Sequence, residues 1–443
     1  MNIAAIVPLS EKAAYLRTLP AIRERCGRVH ELATQGKLQY FDYHPEREDA
    51  AVELCLDIIK KKYGADEDFA TRIPPHGRWR HLDAGAPRVQ DLLQAWTSPP
   101  GSAAPIDTQE QARRTIDLFI ASVLLDAGAG NVWKYDEKET GQTFNRSEGL
   151  GVASFRMFEQ GFFSGVEGQP HRVDAEGLAR ITTERVGEAM QVTEENPMVG
   201  IDGRTALLYK LGEALKASPE YFGKDGRPGN LVDFLQAHVR TDENGATVLP
   251  LAALWYALID GLSTIWPSRI VLADLPLGDV WPCPALGASV GENLQESDDL
   301  VPFHKLTQWL TYSLIEVFEK VLKWKIAGVE DMTGLPEYRN GGLLVDLGIL
   351  TLKENALPID PKSGLPHAAP SHPAIVEWRA MTVIELDRLA AGIRKALNVT
   401  EEQLSLAQIL ESATWNGGRE IAKQKRPETC GPPIEIDSDG TVF

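Results

Sequence analysis

Ionisable and polar residues crowd the segment TGLPEYRNGG at 333 to 342, where Glu337, Tyr338, Arg339 and Asn340 stand between a proline and two glycines. A carboxylate, a guanidinium and an amide are groups that bind a small polar substrate and move its protons. Earlier in the chain, Lys305 adds an ammonium group. We interpret these residues as parts of one active site. A large core with paired buried polar groups explains the pattern equally well.

A helix predicted at 302 to 326 presents two faces that both avoid water. At about 100° per residue, one face is apolar and contains Phe303, Leu306, Leu310, Leu314, Val317 and Val321. The opposite face mixes aromatic and polar side chains, namely Lys305, Gln308, Trp309, Tyr312 and Glu316. Since a solvent-facing surface seldom combines Trp and Tyr with a lone Lys, the second face is predicted to line a cleft.

The segment at 126 to 154 joins an apolar helix, a Gly-rich turn, a short aromatic strand and a second helix. Asp126, Trp133, Arg146 and Glu148 are its candidate substrate-binding residues. Glycines let a backbone approach a ligand, and a helix N-terminus attracts anions. No Walker motif is present, and Gly128 is equally well explained as a helix C-cap.

The loop RIPPHGRWRHLDAGAPR at 72 to 88 concentrates basic residues in an otherwise acidic chain. His76, Arg78 and Arg80 are candidates for phosphate binding, because guanidinium groups form paired hydrogen bonds with phosphate oxygens. An ion-pair network is the more frequent explanation of such a loop. No Cys or carboxylate stands at ligand spacing from the histidines, so a metal site is not expected.

Two further clusters combine aromatic and charged residues. Asp279 and Trp281, in LPLGDVWPCP at 275 to 284, suit recognition of a small polar ligand, although an anchored loop explains them nearly as well. Glu377, Trp378 and Arg379 stand at the start of a predicted helix, where a structural role is more common than a catalytic one.

Composition limits the class of partner. The chain has 443 residues and a net charge of −18, which repels nucleic acid and anionic membranes but leaves room for a small anionic substrate in a local basic site. Four scattered cysteines predict neither a disulfide framework nor a zinc site. Neither a signal peptide nor a membrane span is predicted. We therefore expect a cytoplasmic protein without a cofactor, and the oligomeric state stays open.

Helical periodicity dominates the chain and predicts a mainly α fold. Helices are predicted at 20–34, 45–63, 107–127, 147–160, 174–190, 204–217, 229–239, 248–264, 302–326, 373–397 and 401–424. Strand signals are few, and the best are the short stretches VWKY at 132 to 135 and the terminal PPIEIDSDGTVF. Pro/Gly-rich joints suggest an N-terminal segment 1–105, a central catalytic body 106–356 and a C-terminal segment 357–443, within one compact unit.

Several motifs together resemble the URC-type uracil-catabolism family, in the branch of the fourth protein of that pathway. They are DAGAGNVWKY, NRSEGLGVASFRMF, LVPFHKLTQWLTYSLIE, TGLPEYRNGGLLVDLG, VEWRAMTV and SDGTVF. The resemblance covers nearly the whole chain. It implies a role in uracil breakdown after conversion to a nucleotide and ring opening, a route in which ribosylurea appears.

The order of these motifs is also remotely similar to the queuosine-nucleotide salvage glycosidases, which are all-α enzymes that hydrolyse an N-glycosidic bond. In that resemblance Lys305 matches a lysine in an FYKRAQ-like helix, and Glu337 stands where the family has an aspartate in an ADYR-like motif. The carboxylate of Glu337 is one methylene longer. Ribosylurea and a queuosine nucleotide share the bond from C1′ of ribose to nitrogen.

These resemblances imply hydrolysis of ribosylurea or its 5′-phosphate to urea and ribose or ribose phosphate. Glu337 is the expected carboxylate at C1′, and Lys305 or His304 supplies a proton or hydrogen bonds to urea. Tyr338 and Asn340 orient the urea amide. Trp133 or Trp309 forms an apolar wall. A phosphoribosyltransferase and a non-enzymatic partner of other pathway enzymes remain alternatives.

Overall fold

The structure is a computed structural model that describes residues 8–98, 104–126, 128–130, 132–266 and 269–437. Part of the Pro/Gly-rich joint at 98 to 106 and the motif SDGTVF at 438 to 443 lie outside the described residues. The predicted terminal strand is described only up to residue 437, and its ordered part is the dipeptide Glu435–Ile436.

The α-helices, numbered along the chain, are α1 Leu9–Leu16, α2 Leu19–Thr34, α3 Glu48–Tyr63, α4 Trp79–Leu82, α5 Arg88–Thr97, α6 Thr108–Leu124, α7 Arg146–Glu159, α8 Ala175–Leu178, α9 Thr183–Ala189, α10 Ile201–Ala217, α11 Pro219–Phe222, α12 Leu231–Gln236, α13 Leu251–Gly261, α14 Pro284–Val290, α15 Lys305–Lys320, α16 Tyr338–Asp346, α17 Pro373–Leu397, α18 Leu406–Ile409 and α19 Trp415–Lys425. Short 3-10 turns are Pro45–Arg47, Phe69–Arg72, Pro228–Asn230, Ser263–Ile265, Gly291–Asn293 and Val329–Asp331, and Leu410–Thr414 is a π-helical turn between α18 and α19.

The strands are short and form small separate sheets. They are β1 Phe41–Tyr43, β2 Lys134–Glu137, β3 Gln142–Asn145, β4 Arg240–Thr241, β5 Thr247–Pro250, β6 Val271–Leu272, β7 Leu275–Pro276, β8 Val280–Pro282, β9 Leu300–Pro302, β10 Lys325–Ala327, β11 Leu350–Leu352, β12 His367–Ala368 and β13 Glu435–Ile436. Among the described residues the largest sheet has three strands, in the order β10-β5-β4. The predicted mainly α class is confirmed.

Three predicted helices need correction, each for a local reason. The predicted helix at 174 to 190 is two helices, because the side chains of Asp174 and Thr182 each cap a new start. The helix at 302 to 326 begins at Lys305 and is flanked by strands at 300–302 and 325–327. Thr400 does exchange hydrogen bonds with Gln403, but α18 begins further on, where Ser405 and Gln408 form the capping box.

The sequence analysis missed helix α16, which follows the Glu337 cluster. Its two consecutive glycines lower helix propensity. The structure shows why one of them is needed, since a Cβ on Gly341 would lie 2.8 Å from Nε1 of Trp378. That Nε1 donates a hydrogen bond of 2.9 Å to the Gly341 carbonyl. Close approach of the indole therefore outweighs the local propensity.

The first compact unit consists of the described residues of Met1–His76, Pro267–Gln308 and Glu330–Phe443. Its centre is α17, which packs against α2, α3 and α16. Apolar side chains are buried all round this helix, including those of Ile375, Trp378 and Met381. Each such side chain contributes about 1.5 to 3 kcal/mol to folding, so α17 is a rigid base for the residues that pack on it.

The second compact unit consists of the described residues of Gly77–Trp266 and Trp309–Val329. Here α6 packs against α7 and α10. The limits of the two units do not coincide with the predicted segment boundaries at 105 and 356. None of the helices described in either unit is long and apolar enough to cross a lipid bilayer.

Candidate functional site

Glu337 is the N-cap of α16. Its backbone is extended, and its carboxylate accepts hydrogen bonds from the backbone N–H groups of Arg339 at 2.9 Å and Asn340 at 2.6 Å. These N–H groups have no partner within the helix, and the helix dipole favours a negative charge at this end. The cap is therefore neither Thr333 nor Asp331, which stand earlier in the chain. The structure assigns the cap to the predicted catalytic carboxylate itself.

Thr333 instead joins the loop before α16 to the first turn of α15. Its backbone N–H donates to Oε1 of Gln308 at 3.0 Å, and Nε2 of Gln308 donates to the Thr333 hydroxyl at 2.9 Å. Nε2 also donates to the carbonyl of Phe303 at 3.1 Å. Because both side chains are buried, these hydrogen bonds are shielded from water and hold the two segments in one register.

Asp279 forms a second connection between the same two segments. Its carboxylate receives both terminal nitrogens of Arg379 at 2.8 Å and the backbone N–H of Lys305 at 3.0 Å. Arg379 also donates from Nε to the carbonyl of Pro336 at 3.3 Å, one residue before Glu337. A continuous hydrogen-bonded chain therefore leads from the start of α15 to the start of α16.

The charge of Asp279 is fully engaged in this chain. Trp281 also donates from Nε1 to Oδ1 of Asp279 at 2.6 Å. Burial alone would raise the pKa of Asp279, but the charge and hydrogen bonds of Arg379 hold that pKa well below its usual range. Asp279 and Trp281 thus have the contacts of an anchored loop, which was the alternative to their predicted role in substrate binding.

His304 directly precedes α15 and is buried. Its Nε2 is 2.8 Å from the carbonyl of Leu16, so this nitrogen carries the proton. Its φ of 45° lies in the left-handed region, which costs a non-glycine residue about 1 kcal/mol or more. Burial lowers the pKa of His304, which favours the neutral ring. The ring therefore anchors the helix start to α1.

The remaining residues of the Glu337 cluster face different partners. Nε of Arg339 donates to the hydroxyl of Tyr338 at 3.2 Å, and the Arg339 guanidinium lies over the Trp415 ring, 4.7 Å from its centroid. Asn340 is fully buried and donates from Nδ2 to the Leu335 carbonyl at 3.1 Å. Its Oδ1 has no hydrogen-bond partner among the described residues. A buried acceptor of this kind fits a ligand N–H group.

The predicted phosphate-binding residues fall into different units. His76 belongs to the first unit, where its Nδ1 lies 2.9 Å from Oε2 of Glu411. Arg78 and Arg80 belong to the second unit. Arg78 is fully buried and pairs with Asp126 at 2.9 Å, and its Nε donates to the Ser122 hydroxyl at 2.8 Å. These contacts of His76 and Arg78 are those of an ion-pair network, which was the alternative to phosphate binding.

The 126 to 148 residues also lie in the second unit, around Arg78. The charges of Asp126 and Glu148 oppose the lowering of the Arg78 pKa by burial. Arg146 starts α7 with a φ of 52°, and Trp133 is buried with its Nε1 donating to the Met190 carbonyl at 2.8 Å. That these residues serve the same site as Glu337 remains a prediction.

The second face of α15 is buried, as predicted. Trp309, Tyr312 and Glu316 are each less than a tenth exposed. Burial raises the pKa of Glu316 to about 7, against the opposing charge of Lys320, whose Nζ is 2.5 Å from Oε2. Oε1 of Glu316 has no hydrogen-bond partner among the described residues. This face therefore carries a carboxyl that titrates near neutral pH.

Besides helix α16, two features of the site escaped the sequence analysis. The link between Gln308 and Thr333 joins positions far apart in sequence, and Glu411 lies inside a predicted helix that the structure resolves into a π-helical turn. The only local signal was the polar run ESAT within an otherwise helical pattern. Within the described ranges there is no group of three or more His, Cys, Asp or Glu side chains suited to a metal ion.

A family model described as "Protein of unknown function (DUF1688)" matches residues 15–443. The chain belongs to this family. It is 42% identical over 445 residues to "Uracil catabolism protein 4" of Lachancea kluyveri, covering 97% of this chain and 98% of the relative. It is 40% identical over 436 residues to "Protein urg3" of Schizosaccharomyces pombe, covering 98% and 100%. The resemblance to the URC-type family is thereby confirmed. The remote similarity to queuosine-salvage glycosidases stays a prediction.

Proposed function

We propose that this chain acts in uracil catabolism by hydrolysing the N-glycosidic bond of ribosylurea or ribosylurea 5′-phosphate, with release of urea and ribose or ribose phosphate. The name of the Lachancea relative, similar over almost its whole length, supports the pathway. The observation that carries the chemistry is the carboxylate of Glu337, which two backbone N–H groups hold at the start of α16. The loop that precedes it is joined by Thr333 to the first turn of α15.

Breaking the bond from C1′ to nitrogen develops positive charge on the ribose ring. A carboxylate near C1′ stabilises that charge and either attacks C1′ or activates water. Two backbone N–H groups at the start of α16 hold both oxygens of the Glu337 carboxylate, so the group has a defined position for either role. Because the cap fixes the carboxylate before substrate binds, little reorganisation is needed during the reaction.

The departing urea nitrogen takes the electron pair of the broken bond and needs a proton. His304 is poorly suited to supply it, since its Nε2–H is used by the Leu16 carbonyl and its pKa is lowered. Lys305, at the start of α15, is the better donor, and its backbone is already fixed by Asp279. The orphan Oδ1 of Asn340 suits an N–H group of the urea.

The fold does not favour the transferase alternative. Phosphoribosyltransferases place their acidic motif and phosphate loop at the edge of a parallel sheet within an α/β fold. In the described part of this chain, strands pair only in sheets of two or three. The small parallel pairs, β10 with β5 and β12 with β13, do not provide such an edge.

The decisive experiment incubates the pure protein separately with ribosylurea and with ribosylurea 5′-phosphate, without added metal. Free urea is measured enzymatically, and the sugar product is identified by NMR. We expect stoichiometric urea and ribose, or ribose phosphate, from at least one substrate. A parallel incubation with phosphoribosyl pyrophosphate and uracil or urea tests the transferase. Release of pyrophosphate with formation of an N-ribosyl product, without urea release from either ribosylurea substrate, would overturn the proposal, and so would no turnover in any mixture.

A further inference from the structure

The π-helical turn at Leu410–Thr414 holds a histidine–carboxylate pair that the proposed reaction has not yet used. Nδ1 of His76 lies 2.9 Å from Oε2 of Glu411, and the side chains are only 4% and 2% exposed. A carboxylate offers acceptors only, so Nδ1 carries the proton and Nε2 is the basic nitrogen of the neutral ring. This arrangement is how enzymes fix the tautomer of a histidine base.

Both ends of the pair are held by the surrounding backbone. The N–H of His76 donates to the Ala407 carbonyl at 2.9 Å, and Nε2 of Gln408 donates to the carbonyls of Ala70 at 2.9 Å and Ile73 at 3.0 Å. These contacts attach the loop that carries His76 to the helix that leads into Glu411. The geometry of the pair therefore does not depend on one flexible side chain.

The π turn itself is a costly local structure that is often found at functional sites. The carbonyl of Glu411, within this turn, accepts a hydrogen bond of 2.5 Å from Nδ2 of Asn416. Thr414 ends the turn, and its buried Oγ1 has no hydrogen-bond partner among the described residues. A water molecule bound at this turn would satisfy the hydroxyl.

Contacts within the first unit connect this pair to Glu337. The His76 ring packs against Trp415, with centroids 5.7 Å apart. Trp415 also packs against Arg339, whose guanidinium is 4.7 Å from the ring centroid and whose backbone N–H binds the Glu337 carboxylate, and against the guanidinium of Arg419 at 4.7 Å. Helices α16 and α19 approach so closely here that a Cβ on Gly418 would lie 2.1 Å from the Arg339 carbonyl oxygen.

We propose that His76 is the general base of the hydrolysis and that Glu411 is its positioning residue, an inference that rests on the proposed function. Nε2 takes a proton from water as the water oxygen bonds to C1′. The C1′–N bond breaks, and its electron pair goes to the urea nitrogen, which takes a proton from Lys305. The imidazolium then returns its proton to the Lys305 amine through solvent, which restores both groups. Glu337 stabilises the charge on the ribose meanwhile.

The kinetic test compares His76→Gln and Glu411→Gln with the wild type at saturating ribosylurea 5′-phosphate. We expect kcat to fall about a hundredfold or more for His76→Gln and about tenfold or more for Glu411→Gln, with KM changed by less than about threefold. Added imidazole should restore part of the activity of His76→Ala. A merely structural pair would give neither the kcat-specific loss nor the rescue.

His171→Gln is the matched control. This histidine also packs beside a tryptophan, Trp96, with centroids 5.5 Å apart, and its Nδ1 accepts from the indole N–H at 2.9 Å, with no carboxylate bound to it among the described residues. The kcat of the His171→Gln variant should stay near that of the wild type. Equal losses in His171→Gln and His76→Gln, or an unchanged kcat in His76→Gln, would overturn the assignment while leaving the proposed function standing.

A measurement without turnover separates the two proposals. The 15N shifts of the histidines are recorded on wild-type protein while ribose 5-phosphate and urea are added together, with the His76 signals assigned by their absence from the His76→Gln spectrum. A change at Nε2 of His76 supports its place at the site, even if no urea is released from the substrates or if a variant fails to fold. Unchanged His76 shifts at saturating ligand would overturn the inference.

Discussion

Glu316→Gln tests how strongly burial controls the charge of the α15 face. The Glu316 side chain is buried, with one oxygen on Lys320 and the other without a partner in the described chain. Burial raises its pKa from an ordinary 4.5 to about 7. At about 1.4 kcal/mol for each pH unit between the two values, the ionised side chain costs the folded state roughly 3 kcal/mol.

The sign follows from which state loses its proton first. As the pH rises from about 4.5 to about 7, the unfolded chain ionises Glu316 while the folded chain stays protonated, so stability falls over this range and the full cost is present above it. Glutamine cannot ionise and avoids the cost. The advantage of Glu316→Gln over the wild type in free energy of unfolding should therefore be small at pH 5 and larger at pH 8. The increase between these two pH values should be roughly 2 kcal/mol or more.

The assay is unfolding in guanidinium chloride at pH 5, 6.5 and 8, supported by 13C NMR titration of the carboxyl. Glu213→Gln is the matched control, since Glu213 also has a lysine partner on its own helix, Lys216 at 3.9 Å, but is 57% exposed. Its effect should be within about 0.5 kcal/mol at each pH. A Glu316→Gln difference that stays constant from pH 5 to 8 would refute the reasoning.

Four further groups of variants probe the site and its supports. Glu337→Gln should lower kcat for urea release about a hundredfold or more with little change in KM, because the charge acts mainly in the transition state; release at the wild-type rate would remove Glu337 from the chemistry. Arg80→Ala should raise KM for ribosylurea 5′-phosphate roughly tenfold or more while sparing ribosylurea, since charge-assisted hydrogen bonds contribute about 1.5 to 3 kcal/mol; equal weakening of both substrates would assign the loop to folding. Gly418→Ala should lower the melting temperature sharply, because its methyl would meet a backbone oxygen at 2.1 Å, whereas Gly417→Ala, with its nearest atom at 3.4 Å, should be tolerated; equal melting temperatures would contradict the close helix crossing. Asp279→Asn should destabilise the chain by about 3 to 5 kcal/mol in guanidinium unfolding, because it leaves a buried guanidinium without its counter-charge, and a loss below 1 kcal/mol would show that the ion pair is not needed.

Local patterns predicted the elements that depend on local physics. The mainly α class and the two buried faces of α15 follow from the 3.6-residue period of apolar side chains, and both are confirmed. The cluster around Glu337 was visible because its polar residues adjoin in sequence. The role of Glu337 as a helix cap was not visible, because glutamate is a rarer N-cap than threonine or aspartate, and both stand upstream at Thr333 and Asp331.

The periodicity of apolar residues could not predict which charged residues pair when they are far apart in the sequence. Asp279 and Arg379 stand 100 positions apart, and nothing in either segment specifies the other. The same holds for His76 and Glu411, which are 335 positions apart. A sequence pattern shows that a buried charge needs a partner, but only the packing of α17 and the loops around it selects which one.

The cap at α16 fixes the position of the Glu337 carboxylate relative to the helix. Because two backbone N–H groups hold its carboxylate, moving the oxygen atoms means breaking both cap hydrogen bonds, at a cost of about 1 kcal/mol or more. In the proposed reaction, the substrate therefore approaches a carboxylate that is already in position, and the length of the Glu337 side chain sets the distance between the helix axis and C1′. Aspartate at this position would keep a helix cap and withdraw the charge by one methylene. In the proposed reaction, an exchange between the two acids would therefore change how bulky a substrate the same scaffold accepts.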